Sequence, residues 1–66
     1  MNIVLNGEQR GFERALTLHA LIDHLELTGK RLAVEVNEEV VPRSQHLEFR
    51  LHDGDRVEIV HAIGGG

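Results

Sequence analysis

Residues 53–66 read Asp53-Gly54-Asp55-Arg56-Val57-Glu58-Ile59-Val60-His61-Ala62-Ile63-Gly64-Gly65-Gly66. The first three residues are a turn signal, and Val57 and Ile59 then alternate with Arg56 and Glu58, as in a strand with one buried face. This final strand is expected over Arg56 to Ala62. Three glycines follow. Lacking a Cβ and losing the most freedom on ordering, they contribute neither core nor regular strand. They make a thin arm, about 10 Å long when extended, that ends in the unhindered carboxylate of Gly66. Two readings of that arm stand side by side: a frayed chain end, or a substrate arm that threads a narrow channel in another protein.

Moving outward from that strand, Ile3 and Leu5 alternate with polar neighbours and Asn6-Gly7 follows, which predicts a strand and a hairpin. The second strand is expected over Gln9 to Ala15, with Phe12 toward the core. Leu18, Leu21, Ile22 and Leu25 fall at i, i+3, i+4 and i+7, the stripe of an amphipathic helix. Thr17 is its expected N-cap, Leu16 and Leu21 its hydrophobic staple, and Gly29 its left-handed C-terminal residue, with Lys30 and Arg31 at the negative end of the dipole. Leu32 to Val36 is a strand, Asn37-Glu38-Glu39 a turn, and Val40-Val41 a short strand ended by Pro42. Arg43 to Leu47 reads as one helical turn or irregular chain, and Phe49 and Leu51 add core.

The elements run ββαββ with one further short piece. One helix across a mixed four-stranded sheet, with the first and last strands as central neighbours, is an α+β fold of the β-grasp kind. Ile3, Leu5, Val34, Val36, Val57 and Ile59 then face the helix. Val4, Val60 and Ala62 fall on the opposite face, as a docking patch leading toward the tail or as scattered surface residues. Residues 1–62 are the expected domain and 63–66 its flexible tail.

A chain of 66 residues is one small domain whose core is limited. It has no Cys, so local signals must be consistent for it to fold, and a reducing, cytoplasmic setting is expected. A net charge of −4 repels phosphate backbones and anionic lipids, and Phe12 and Phe49 are too few for base stacking. Neither nucleic acid nor membrane is an expected partner.

The remaining chemical signals are weak. The five histidines do not fall at ligand spacing: His19 and His24 lie on different sides of a helix, and His46, His52 and His61 sit on other elements. No metal site is expected. Asp53-Gly54-Asp55 lacks the further ligands of a calcium loop and reads as a hairpin turn. Glu35, Glu38, Glu39 and Glu58 form either a solvated face or a complement to a basic partner. Arg43, between Pro42 and Ser44, is either a partner contact or a solvated loop residue, and the loop is the preferred reading. Ser44 is the one serine, and no triad or paired carboxylate suggests that the chain is an enzyme.

Four strings in order, Val34-Glu35-Val36-Asn37, Val41-Pro42-Arg43-Ser44-Gln45, Asp53 to Val60 and Ala62-Ile63-Gly64-Gly65-Gly66, resemble the sulfur carrier proteins of thiamine biosynthesis, a ubiquitin-like family. The resemblance runs the length of the chain. It implies that an adenylating, E1-like activating enzyme joins Gly66 to AMP using ATP and Mg2+, and that a sulfur donor protein then supplies the sulfur of a thiocarboxylate. That group would feed thiazole ring formation by thiazole synthase. Gly64, Gly65 and Gly66 would enter the partners' active sites, with Val4, Val60, Ala62 and Ile63 as docking candidates, and the carrier itself would hold no cofactor. Glu38, where the family often has Gly, and His46, where it often has Trp, depart from the pattern and bear on partner choice. A carrier in molybdopterin synthesis has a similar fold and tail. A non-covalent ubiquitin-like binding module is the alternative of a different class.

Overall fold

The computed structural model describes residues 1–62. Its elements are β1 (Asn2–Leu5), β2 (Glu8–Gly11), helix α1 (Leu18–His24), β3 (Leu32–Val36), β4 (Glu39–Val40), a 3-10 turn (Arg43–Gln45) and β5 (Arg56–His61). The strands form one mixed sheet in the order β2-β1-β5-β3-β4. β1 runs parallel to β5, and the other neighbours are antiparallel. The expected helix on a mixed β-grasp sheet is therefore present, but with five strands where four were expected.

The fifth strand is the short one expected at Val40-Val41, moved to Glu39–Val40 by turn chemistry. Asn37 and Glu38 take φ of 52° and 70°, the left-handed pair that a two-residue type I′ hairpin loop requires. That loop places Glu39 opposite Val36, so pairing starts one residue before the expected Val40-Val41. Val41 turns inward instead, is buried, and donates its N–H to Val34 O at 2.9 Å. The Asn6-Gly7 loop, with φ of 49° and 82°, joins β1 to β2 in the same way.

β2 stops at Gly11, short of the expected Ala15, with Asn2 opposite Gly11 as the last pair of the β1–β2 register. Phe12 is still held, its N–H donating to Met1 O at 2.8 Å and its carbonyl accepting from the Met1 ammonium at 2.7 Å. Its half-buried ring meets His24 edge to face, with centroids 5.3 Å apart.

Helix α1 starts where expected. Thr17 Oγ1 accepts from Ala20 N at 3.1 Å, while Leu18 N and His19 N donate to Phe49 O and His46 O. The first-turn donors that a helix leaves open are thus closed partly by the 43–51 segment. The C-terminal end differs from expectation. Leu25 is the C-cap and Glu26, not Gly29, is the left-handed residue that ends the helix, at φ 61°. Glu26 N donates to Asp23 O and Leu27 N to Ile22 O, the pair of bonds that defines a Schellman ending. Gly29, at φ 83°, serves a separate turn closed by Lys30 N to Leu27 O.

Leu18, Leu21 and Ile22 pack on Ile3, Leu5, Val34, Val36, Val57 and Ile59, all buried as the alternation predicts. Leu51 and Val41 close the rim. Each fully buried aliphatic side chain contributes roughly 1.5–3 kcal/mol. His46 also joins the interior, at 7% exposure. The Asp53-Gly54-Asp55 turn is not a hairpin, because β5 pairs with β1 and β3 and not with the preceding chain. Asp53 Oδ1 instead accepts from Asn2 N at 2.6 Å, and Gly54 N donates to Asn2 O at 2.8 Å, which fixes the turn against the start of β1. No helix among the described residues is long and apolar enough to cross a membrane.

Candidate functional site

β5 is the middle strand of the sheet and carries the chain toward the glycines. Val4 N donates to Asp55 O and Asn6 N to Val57 O, both at 2.9 Å, which ties β5 to β1. On its other side β3 pairs with β5 from Val36 opposite Val57 to Leu32 opposite His61. Ala62 N then donates to Arg31 O at 2.9 Å. The strand is therefore held on the β3 side up to the last described residue. Ile63, Gly64, Gly65 and Gly66, with the expectation that they project from the domain as a flexible arm, lie outside the described residues.

The two sides of β5 are unequal near its end. Ile59 turns its backbone N–H and C=O toward the β1 side, where the Asn6 side chain takes both. By the two-residue alternation of an antiparallel ladder, His61 turns its polar groups the same way, beyond the last β1 residue. Among the described residues no strand lies beside that stretch, and such an edge is the feature with which an extended segment of another chain can pair.

The face of the sheet away from the helix carries Val4, Val60 and Ala62, as alternation predicts. The register divides them. Val60 lies opposite Ala33 on β3, with Ala62 two residues on, whereas Val4 lies opposite Arg56. Four residues separate Arg56 from Val60, roughly 13 Å along a strand. The apolar surface near the tail is thus Val60, which is 56% exposed, with Ala33 and Ala62, and Val4 stands apart from it. Ala33 was not legible as a member of this patch, since only the pairing register brings it there.

Beside this patch Glu35 and Glu58 stand directly opposite each other across β3 and β5, both exposed. Like charges so placed destabilise a sheet pair. The arrangement gives the open face a local negative potential, complementary to a basic surface.

No cluster of His, Asp and Glu suited to a metal ion occurs among the described residues. The acidic turn residues are occupied by the fold: Asp55 Oδ2 accepts from His52 N at 2.8 Å and Asp55 Oδ1 from Asn37 Nδ2 at 3.0 Å.

Comparison with known proteins agrees with this geometry. The family model described as the ThiS family matches residues 3–66. The crystal structure of a thiamine biosynthesis protein (ThiS) from Geobacter metallireducens superposes with a TM-score of 0.87 at 30% identity, covering all of both chains. The sulfur carrier protein ThiS of Bacillus subtilis is 35% identical over 94% of this chain and 96% of its own length. A thiazole synthase of Paramagnetospirillum magneticum is 44% identical over the whole of this chain, which spans only 20% of that protein's length. With a family model aligned over nearly its full length and a relative of matching size on the same β-grasp fold, the chain belongs to the ThiS family.

Proposed function

We propose that this chain is a sulfur carrier of thiamine biosynthesis, a covalent co-substrate and not an enzyme, whose Gly66 carboxylate is the group that carries sulfur. The observation that carries the reading is the family match, which extends through the glycines to residue 66. A carboxylate is a poor acyl donor because its leaving group would be oxide. Attack of the Gly66 carboxylate on the α-phosphate of ATP, with Mg2+ held by an E1-like activating enzyme, forms the acyl adenylate and releases pyrophosphate. A sulfur nucleophile from a donor protein then attacks the acyl carbon and AMP departs. With a terminal persulfide of the donor as that nucleophile the product is an acyl disulfide, and a thiol that attacks the donor's sulfur breaks the S–S bond, leaving the thiocarboxylate on Gly66 and a disulfide on the donor.

The absence of side chains on Gly64, Gly65 and Gly66 suits passage through a narrow channel, and nothing in this chemistry asks the carrier for a catalytic residue. Val60, Ala33 and Ala62 supply an apolar docking surface beside the tail, Ile63 continues toward it in sequence, and the edge at His61 offers backbone pairing. Thiazole synthase is the proposed acceptor of the sulfur. The thiazole synthases that match this chain over its whole length support that partner, since in each the similar segment belongs to the same polypeptide.

The test is an intact-mass measurement after incubation with ATP, Mg2+, the activating enzyme and a sulfur source. The expected result is a mass gain of one sulfur-for-oxygen exchange, located at Gly66 and abolished by amidation of that carboxylate. An unchanged mass with an active partner enzyme would overturn the reading. The same spectrum reports whether Gly66 is the free end of the chain.

A further inference from the structure

A second surface lies on the other side of the sheet from the Val60 patch. Between the end of α1, the start of β3 and the 3-10 turn is a cleft of about 230 Å³. Ile22, Leu27 and Leu32 make its apolar floor, and Leu47, 68% exposed, stands at its rim. Lys30, after the helix, and Arg43, on the 3-10 turn, both line it, as does His19. The eleven acidic residues of the sequence all lie outside that lining, in a chain whose net charge is −4.

Two of the seven Lys and Arg residues of an overall acidic protein thus line a cleft whose lining holds no Asp or Glu, the nearby Asp23 carboxylate being taken by the Thr28 hydroxyl at 3.0 Å. The cleft's shape comes from sequence features with local causes. The left-handed Glu26 and Gly29 turn the chain back on itself after the helix and bring Lys30 beside Leu27. Pro42 starts the 3-10 turn that presents Arg43, and the buried His46 anchors that turn by its Nε2, 3.0 Å from Val41 O.

We infer that this cleft is a docking site for an acidic segment of a partner protein that carries an aliphatic side chain. The apolar floor takes that side chain, and Lys30 and Arg43 take carboxylates on either side of it. Charge complementarity selects this occupant. A basic segment would meet two like charges, while a nucleic acid or an anionic membrane, whose charge extends well beyond the cleft, would meet the surrounding acidic surface that a short acidic segment seated in the cleft avoids. The site also adjoins the tail strand, for Leu32 of the floor pairs with His61, and the residue between Leu32 and Lys30 holds Ala62 through its carbonyl. A segment seated there lies next to the end of β5, on the face opposite Val60. The inference makes no use of residues 63–66 or of sulfur chemistry.

The test is an NMR titration of the isotope-labelled full chain with a synthetic Glu-Leu-Glu-Leu-Glu peptide at low ionic strength, with a Lys-Leu-Lys-Leu-Lys peptide as control. Saturable shifts confined to the amides around His19, Lys30, Arg43 and Leu47 are expected for the acidic peptide alone. The double substitution Lys30→Glu with Arg43→Glu should weaken binding by about tenfold or more, and Arg10→Glu on the distant edge strand β2 by less than about twofold. Lys30 and Arg43 are both exposed, so their variants should keep the fold, which circular dichroism checks, and the milder Lys30→Gln should give an intermediate loss. Failure of the acidic peptide to saturate, shifts centred on Val60, or equal weakening by Arg10→Glu would each overturn the proposal. Because no step reads sulfur transfer, its failure leaves the carrier reading untouched, and the reverse also holds.

Discussion

The Asn6 side chain pairs with both backbone polar groups of Ile59: Ile59 N donates to Asn6 Oδ1 at 2.8 Å, and Asn6 Nδ2 donates to Ile59 O at 3.1 Å. A carboxamide here imitates a peptide unit and adds one rung to the β1–β5 ladder after β1 has turned away. Asn37, in the other hairpin loop, secures the opposite end of β5 with side chain and backbone together: its Oδ1 accepts from Arg56 N at 3.0 Å and its backbone N–H donates to Arg56 O at 2.8 Å. Each asparagine therefore has two tasks, to take a left-handed φ and to secure β5. Both loops fasten the strand that leads to the tail.

Substitution Asn6→Gly keeps the loop conformation and removes the carboxamide, so it isolates those two bonds. Stability should fall by about 1–2 kcal/mol, seen as a lower midpoint in urea with an unchanged slope. Asn6→Ala should fall further by about 1 kcal/mol, because alanine also meets the steric penalty of a left-handed φ. Equal stability of Asn6→Gly and the unsubstituted chain would show that the rung contributes nothing.

Glu38 holds φ 70° with a full side chain. Replacing it by Gly removes a penalty of roughly 1–2 kcal/mol and gives back part of that in unfolded-state entropy. The expected net gain is about 0.5–1 kcal/mol, with a thermal midpoint higher by about 2–8 °C. A calorimetric scan showing a lower midpoint would mean that the Glu38 side chain makes a contribution that its exposed position does not suggest.

The sequence made legible those features that rest on one residue's chemistry or on simple periodicity. Thr17 as N-cap, Asn6-Gly7 as a turn, the helix stripe and the buried face of β5 are of that kind. The misjudged boundaries depend on long-range pairing. β2 ends at Gly11 with the last pair of its register against β1, and Glu39 joins a strand because Asn37 and Glu38, neither of them glycine, adopt a glycine-like turn. The helix ended early because Glu26 took the left-handed role for which Gly29 was the better local candidate. At the site, alternation placed Val4, Val60 and Ala62 on one face, but only register could separate Val4 from Val60 and bring Ala33 in. His46 gave no signal of burial, since its partner Val41 O becomes available only once Val41 turns inward.

That buried contact makes its own prediction. A carbonyl oxygen only accepts, so the His46 ring carries a proton on Nε2 and donates it to Val41 O across 3.0 Å. His46→Leu preserves much of the bulk but leaves the Val41 carbonyl unpaired in the interior. The expected loss is about 1–3 kcal/mol, measured by urea unfolding, and amide exchange around Val41 and the 3-10 turn should quicken more than exchange in β1. Unchanged exchange at Val41 would show that the hydrogen bond does not hold this segment.

Glu35 and Glu58 offer the sharpest separation of stability from function, because their opposition across β3 and β5 works against folding. Glu58→Lys turns a like-charge pair into an opposite-charge one and should raise stability by about 0.2–1 kcal/mol. If the acidic face guides the chain to a basic surface on the proposed activating enzyme, the same substitution should slow association several-fold and flatten its dependence on ionic strength, with little change in dissociation. Stopped-flow mixing with that enzyme at several salt concentrations reads both quantities, and urea unfolding checks the stability gain. A variant that is more stable yet associates as fast as the unsubstituted chain, with the same salt dependence, would remove this face from the encounter and leave docking to the Val60 patch and the edge at His61.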